Sequence, residues 1–225
     1  PTSTPSSLNL VFSTGFETPA PELSLQGWIP VSIEGGSALQ SGPEASVITY
    51  NTAYQDAALR IRALINQGAL SLTLRQNSLT LRENAERQNP DMSYVFTLNH
   101  EGVLKLLRSG QEVASTLITL IPSEWITLEA QAVEGALSAS VDGVVVLSYL
   151  DAEPLPLGSL SVSSSAAALI RVDDLAIWAR GEGAEQIALT PDDATGQAHL
   201  SWGQTVATCH NPGTSATHTF YSVSY

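Results

Sequence analysis

The sequence predicts an all-β domain, a sandwich or barrel of antiparallel strands. Three observations point there: short runs in which apolar and polar residues alternate, turn-forming pairs between those runs, and hardly any helical periodicity between Leu8 and Arg180. Roughly a dozen runs succeed one another at the short spacing of such folds.

Leu8, Leu10 and Phe12 share one face of a strand-like start. Leu59, Ile61 and Ala63 alternate with Arg60, Arg62 and Leu64, and the turn Asn66-Gln67-Gly68 comes next. Leu70, Leu72 and Leu74 alternate with Ser71, Thr73 and Arg75; a period of two sends the leucines to the core and the others outward. The charged stretch Leu79 to Asn89 has weak periodicity and reads as a short helix or a polar loop. Tyr94, Phe96 and Leu98 alternate with Val95, Thr97 and Asn99. Beyond them Glu101-Gly102, Ser109-Gly110, Glu134-Gly135 and Leu157-Gly158 mark turns between further runs. Asp142-Gly143, between Ser138–Val141 and Val144–Leu147, is a hairpin signal. A two-residue type I′ turn needs positive φ at both positions, which Asp and Gly tolerate best. No repeat of solenoid or propeller length is present.

Three segments are expected: a polar start over 1–7, the sandwich over 8–180, and an extension over 181–225. Gly181-Glu-Gly-Ala184 reads as a hinge, and Thr219, Tyr221, Val223 and Tyr225 would share a face of a terminal strand. So short an extension is expected to pack on the sandwich or to pair with a neighbouring molecule.

Composition excludes several function classes. The chain has 225 residues, with 22 acidic against 9 basic side chains, a net charge of −13, and Lys105 as its only lysine. Nucleic acid and anionic membranes both require clustered cations, so neither is an expected partner. Hydrophobic residues at 43% supply a core, and the longest apolar runs, such as Val144–Leu147, fall far short of a membrane span. Cys209 is the sole cysteine, so no intrachain disulfide forms. The opening Pro1–Ser7 lacks a basic, apolar leader and resembles the linker beyond a cleavage site; an extracellular or cell-surface location, with the signal peptide already removed, is the expectation. Asn-X-Ser/Thr sequons are absent.

A series of segments carries a family resemblance. It runs from Phe16-Glu17, Gly27-Trp28 and Gly35-Gly36 to Asp56-Ala-Ala-Leu-Arg-Ile-Arg62 and Gly68-Ala-Leu-Ser-Leu-Thr-Leu-Arg75. Tyr94–Leu98, Gly102–Arg108, Trp125–Leu128, Leu137–Gly143, Leu157–Leu160 and Val172-Asp-Asp-Leu-Ala-Ile177 continue it. In order and spacing it resembles the concanavalin A-like lectin/glucanase sandwich, in particular the laminin-G-like and keto-glucoside hydrolase-like domains of bacterial surface proteins. The resemblance covers about residues 8 to 180. It implies an antiparallel two-sheet jelly roll with one concave sheet, whose relatives bind sugars or serve in adhesion. It also implies a structural calcium between the first and last strands, at positions matching Glu17, Asp173 and Asp174. Hydrogen bonding of those aspartates to backbone amides is the alternative, and on a strand the two face opposite ways.

Candidate chemistry is set by residue types. Glycoside hydrolysis usually requires two carboxylates about the scissile bond. No strand carries alternating acids, and Glu83, Glu86, Glu129 and Glu134 are scattered, so no catalytic residue is assigned. There is no Gly-X-Ser-X-Gly elbow, His100 reads as a turn residue, and adjacent Cys209 and His210 would point apart on an extended chain. His199, Cys209, His210 and His218 match no common zinc spacing. Trp28, Trp125 and Trp178 are expected in the core beneath loops, with Trp202 the freest. A carbohydrate-binding strip is expected on the outward face of the concave sheet: Thr73 and Arg75, then Thr97 and Asn99, joined by Lys105 or Arg108. The expected function is a non-catalytic glycan-binding or adhesion module. The alternatives are a filament subunit that self-associates through its C-terminal strand, and a glycoside hydrolase.

Overall fold

The computed structural model describes residues 8–77 and 92–180, and beyond them the backbone of 184–185, 189–192, 197–202 and 205–209. The expected helix or loop at 79–89, the polar start and the terminal strand at 217–225 lie outside the described residues. Among the described residues every regular element is a strand, and no helix is long and apolar enough to cross a membrane. Contacts divide the chain into two compact units, 1–184 and 185–225.

The first unit is a sandwich of two antiparallel sheets, with strands numbered in chain order. One sheet runs β13 (Val144–Leu150), β12 (Ala136–Val141), β11 (Ile126–Val133), β6 (Ala57–Gln67), β15 (Leu169–Ala179), β4 (Gly36–Ser41), β3 (Trp28–Ile33), with β1 (Asn9–Thr14) also on β15. The second runs β10 (Gln111–Leu117), β9 (Val103–Arg108), β8 (Met92–Asn99), β7 (Ala69–Asn77), β14 (Gly158–Ser164), β5 (Ser46–Tyr54), with β2 (Leu23–Gln26) also on β5. A two-residue strand, β16 (Ala184–Glu185), comes next in the chain. In the second unit β17 (Leu189–Asp192), β18 (Gln197–Trp202) and β19 (Thr205–Cys209) form an antiparallel sheet in that order. His199 and Cys209 lie on β18 and β19 respectively.

The core is the one the alternation predicts. Leu59, Ile61 and Ala63 of β6 meet Leu70, Leu72 and Leu74 of β7 and Tyr94, Phe96 and Leu98 of β8 in one buried cluster. Each fully buried large apolar side chain contributes about 1.5–3 kcal/mol. Asp142 and Gly143 take φ of 50° and 78° and close a two-residue hairpin between β12 and β13, as a type I′ turn requires. Gly102 ends the β8–β9 turn at φ 84°, where a Cβ would collide with the Ile118 carbonyl. β15 changes neighbours midway: its start pairs with β4 and its end with β1, and the register slips between Asp173 and Ala176, where Asp174 sits at φ 49°.

One end of the sandwich is tied by a polar network that alternation did not foresee. Arg75, expected on the solvent face, is 1% exposed. The reason is a bulge: Leu74 pairs with Tyr94 and Asn77 with Met92, and Arg75 takes φ 54°, which brings its side chain inward beside the core. Its Nε donates to the Gln55 carbonyl (2.5 Å), Nη1 to that of Leu155 (2.9 Å) and Nη2 to that of Glu134 (2.7 Å). Nη2 also reaches Asp56 Oδ1 at 3.3 Å. Arg75 thus clips together the β5–β6 corner, the β11–β12 turn and the segment before β14. Arg108, also expected on the outward strip, likewise turns away from it. It shares the inward face of β9 with Leu104 and Leu106, and at the strand end it donates to Asp151 Oδ2 (2.6 Å) and to the Glu153 carbonyl (2.7 Å). Tyr94 OH donates to the same Asp151 oxygen (2.6 Å) and accepts from Leu155 N–H (2.8 Å).

Candidate functional site

The remaining residues of the expected strip do face out from the second sheet, but their polar groups are largely engaged. Thr73 is buried among its neighbours, and Thr97 shares a 2.9 Å hydrogen bond with Ser71. Asn99 caps the β8–β9 turn, its Oδ1 accepting from Glu101 N–H (3.1 Å) and Val103 N–H (2.8 Å). Lys105 pairs with Glu112 across to β10 at 2.8 Å. The structure brings Thr73 and Thr97 onto one face and takes Arg75 and Arg108 away from it.

A groove lies instead on the outer face of the first sheet. The alternation that sends Leu59, Ile61 and Ala63 inward leaves Arg60 and Arg62 outward on β6. On β11, Leu128 and Ala130 face in, so Thr127 and Glu129 face out, opposite Arg62 and Arg60 respectively. Ser140 of β12 lies beside Glu129, Ala176 of β15 beside Arg60, and Ser13 of β1 beyond it. One rung across the sheet therefore reads Ser140, Glu129, Arg60, Ala176, Ser13. The groove over it measures about 1040 Å³ and is rimmed by Asp142 at the β12–β13 turn and by Asp174 at the β15 bulge.

Two arginine–tryptophan stacks hold the cations in place. The Arg60 guanidinium lies 4.5 Å from the ring centre of Trp178, and that of Arg62 lies 4.6 Å from Trp125. Trp125 and Trp178 are thus half-buried against groove arginines, whereas Trp28 is in the core as expected. Arg62 is further engaged by Asp173 (3.6 Å) and Asp174 (3.9 Å). Arg60 differs: among the described residues it donates no side-chain hydrogen bond and forms no ion pair. Glu129 likewise accepts no hydrogen bond among the described residues. Burial pushes the Glu129 carboxyl up from its ordinary range, and the attraction of Arg60 opposes this only in part.

A raised carboxyl disfavours the folded state while it is charged. Stability is therefore gained as the pH falls through the folded value of Glu129 toward that of the unfolded chain. Glu129→Gln is expected to keep or slightly raise the pH 7 melting temperature and to lose part of the gain on mild acidification. Melts at neutral and mildly acidic pH test this; a clear loss of stability at pH 7 would mean that the attraction to Arg60 outweighs burial.

The acids assigned to calcium come near one another without forming a coordination set. Burial raises the Asp173 carboxyl and the charges of Asp174 and Glu17 add to that, while the Asp174 N–H and Arg62 pull it down. One Asp173 oxygen accepts Asp174 N–H at 2.8 Å and the other faces Arg62. Among the described residues no three metal-binding side chains converge. As arranged, Glu17, Asp173 and Asp174 form no three-carboxylate set, and Asp173 makes the backbone-amide hydrogen bond of the alternative reading.

Alternation along β6 turns Arg60 and Arg62 outward, whereas Glu129 stands isolated in the sequence. Nothing local marks β6 and β11 as neighbours, and their pairing makes the site.

No family model and no curated protein matches the sequence. Solved structures do match. A Bacillus subtilis protein of unknown function with a galectin-like fold is 12% identical, over 78% of this chain and 99% of that one, with a TM-score of 0.61. The VIP36 exoplasmic/lumenal domain in its Ca²⁺/Man3GlcNAc-bound form is 10% identical, over 91% and 99%, with a TM-score of 0.56. A Bacillus licheniformis β-glucanase is 10% identical, over 76% and 98%, with a TM-score of 0.53. At these identities what is shared is the fold, a concanavalin A-like sandwich of two antiparallel sheets.

Proposed function

We propose that this protein is a glycan-binding module of extracellular or cell-surface setting, and that its site is the groove across β12, β11, β6 and β15. The observation that carries the proposal is Arg60: a half-buried guanidinium, lying over the Trp178 ring, whose N–H donors no described residue takes up. A cation fixed in a groove with its donors unused is suited to a ligand rich in oxygen. Glu129, Ser140, Thr127 and Ser13 add acceptors and hydroxyls on the same and the next rung, and the groove has room for a few sugar units. VIP36, whose domain shares the fold, is described with Man3GlcNAc bound.

Binding without cleavage is the favoured form of this proposal. Hydrolysis calls for two carboxylates facing one bond, whereas the rung neighbours of Glu129 are Arg60 and Ser140, and the rim carboxylates Asp142 and Asp174 are engaged by the Thr127 N–H and by Arg62.

A glycan array followed by calorimetry on the full chain tests the proposal. At least one glycan is expected to bind, and Arg60→Ala to weaken it roughly tenfold or more, as loss of a charge-assisted hydrogen bond would. Arg62 and a backbone N–H already engage Asp173, so binding is expected to survive EDTA. Undiminished binding by Arg60→Ala places the site elsewhere; an empty array ends the proposal; released sugars would favour the hydrolase.

A further inference from the structure

We infer that the groove selects uncharged glycans and discriminates against uronate-bearing ones, because Arg60 and Glu129 stand opposite each other as an unused donor and acceptor. The inference rests on the groove being the glycan site. Directly opposed residues on neighbouring antiparallel strands have Cβ atoms about 4.5–5.5 Å apart. At that spacing both groups can reach one sugar ring. Among the described residues the two side chains form no ion pair with each other or with anything else. A sugar hydroxyl is donor and acceptor at once: it can accept from the guanidinium and donate to the carboxylate, and neighbouring hydroxyls of one ring can divide the tasks. An uncharged pyranose therefore uses both groups without changing the net charge of the groove.

A uronate does not. Its carboxylate, placed on Arg60, lies beside Glu129, a like charge at close range in a half-buried setting. The other charges facing the groove worsen this. Asp142 rims it from the β12–β13 turn and Asp174 from β15. The second cation, Arg62, is already shared between Asp173 and Asp174. Ser140 and Ser13, on the flanks of the rung, bring no charge. The net charge of −13 also repels a polyanionic chain at a distance. Glu129 is thus both a contact for hydroxyls and the repulsive element that sets selectivity.

Calorimetric titration of the full chain with cello-, laminari- and manno-oligosaccharides, and with oligogalacturonates of matched length, tests this. The uncharged set is expected to contain the ligand, with uronates at least about tenfold weaker. Glu129→Gln is expected to narrow that gap by strengthening uronate binding, and Arg60→Met to weaken the neutral ligand; melting temperatures no lower than that of the wild type control for folding. Uronate affinity equal to or above the neutral set, or a gap untouched by Glu129→Gln, overturns charge selection by this pair while leaving glycan binding in place. No binding of either class overturns both.

Discussion

Replacing Arg75 with alanine is expected to cost about 3–5 kcal/mol, the range for removing one partner of a buried ion pair. For a domain of this size that lowers the melting temperature by roughly 10 °C or more. The cause is specific. The guanidinium serves three backbone carbonyls from three separate loops and faces Asp56, and it lies over the Tyr94 ring at 5.6 Å. Alanine removes every donor and leaves those oxygens buried without partners. Asp56 keeps Glu134 N–H (2.7 Å) and Arg180 (3.2 Å), so part of the β5–β6 corner survives. Lysine should rescue little, since one ammonium cannot span carbonyls set out for a planar fork. Urea unfolding measures the effect, and a loss under about 1 kcal/mol would show that the clip is dispensable.

The second large effect is expected at Asp151. Its carboxylate takes Tyr94 OH and Arg108 Nε on one oxygen and Glu153 N–H (3.0 Å) on the other. Asp151→Ala should cost about 2–3 kcal/mol, because a buried hydroxyl and a charged donor lose their acceptor together. The same bonds fix the sign of the pH dependence. Burial alone would raise the Asp151 carboxyl, but the bonds from Tyr94, Arg108 and Glu153 outweigh it and hold the group below its ordinary range. Its contribution is therefore complete above the unfolded value of about 3.9 and is lost as the pH falls through the lower folded value. Glu129 and Asp173, both raised, act oppositely and are relieved as the pH falls toward ordinary carboxylate values. Stability should thus rise modestly from neutral into mild acid and then drop below about pH 4. In Asp151→Asn the acid drop should be shallower. An acid limb as steep as that of the wild type would assign the drop to other carboxylates.

Arg75 also shows where alternation stops being readable. Leu70, Leu72 and Leu74 count out their faces because each step of an extended strand reverses the side chain. One residue at φ 54° breaks the count, and Leu-Arg-Gln-Asn bears no mark that separates a bulge from two more steps of strand. The tryptophans divide similarly. Trp28 is buried as expected, while Trp125 and Trp178 sit under arginines that no local rule would have placed over them.

By itself the sequence determined the local grammar: the strands, their inward faces, the hairpin at Asp142-Gly143 and the all-β class. Each depends on residues a few positions apart, where backbone sterics and the period of two act directly. The tertiary structure alone decided which strands lie side by side, that Arg60 meets Glu129 across β6 and β11, and that Arg75 closes three loops. Those pairings join residues remote in the chain, and their energies depend on register and burial that exist only once both sheets have closed on the core.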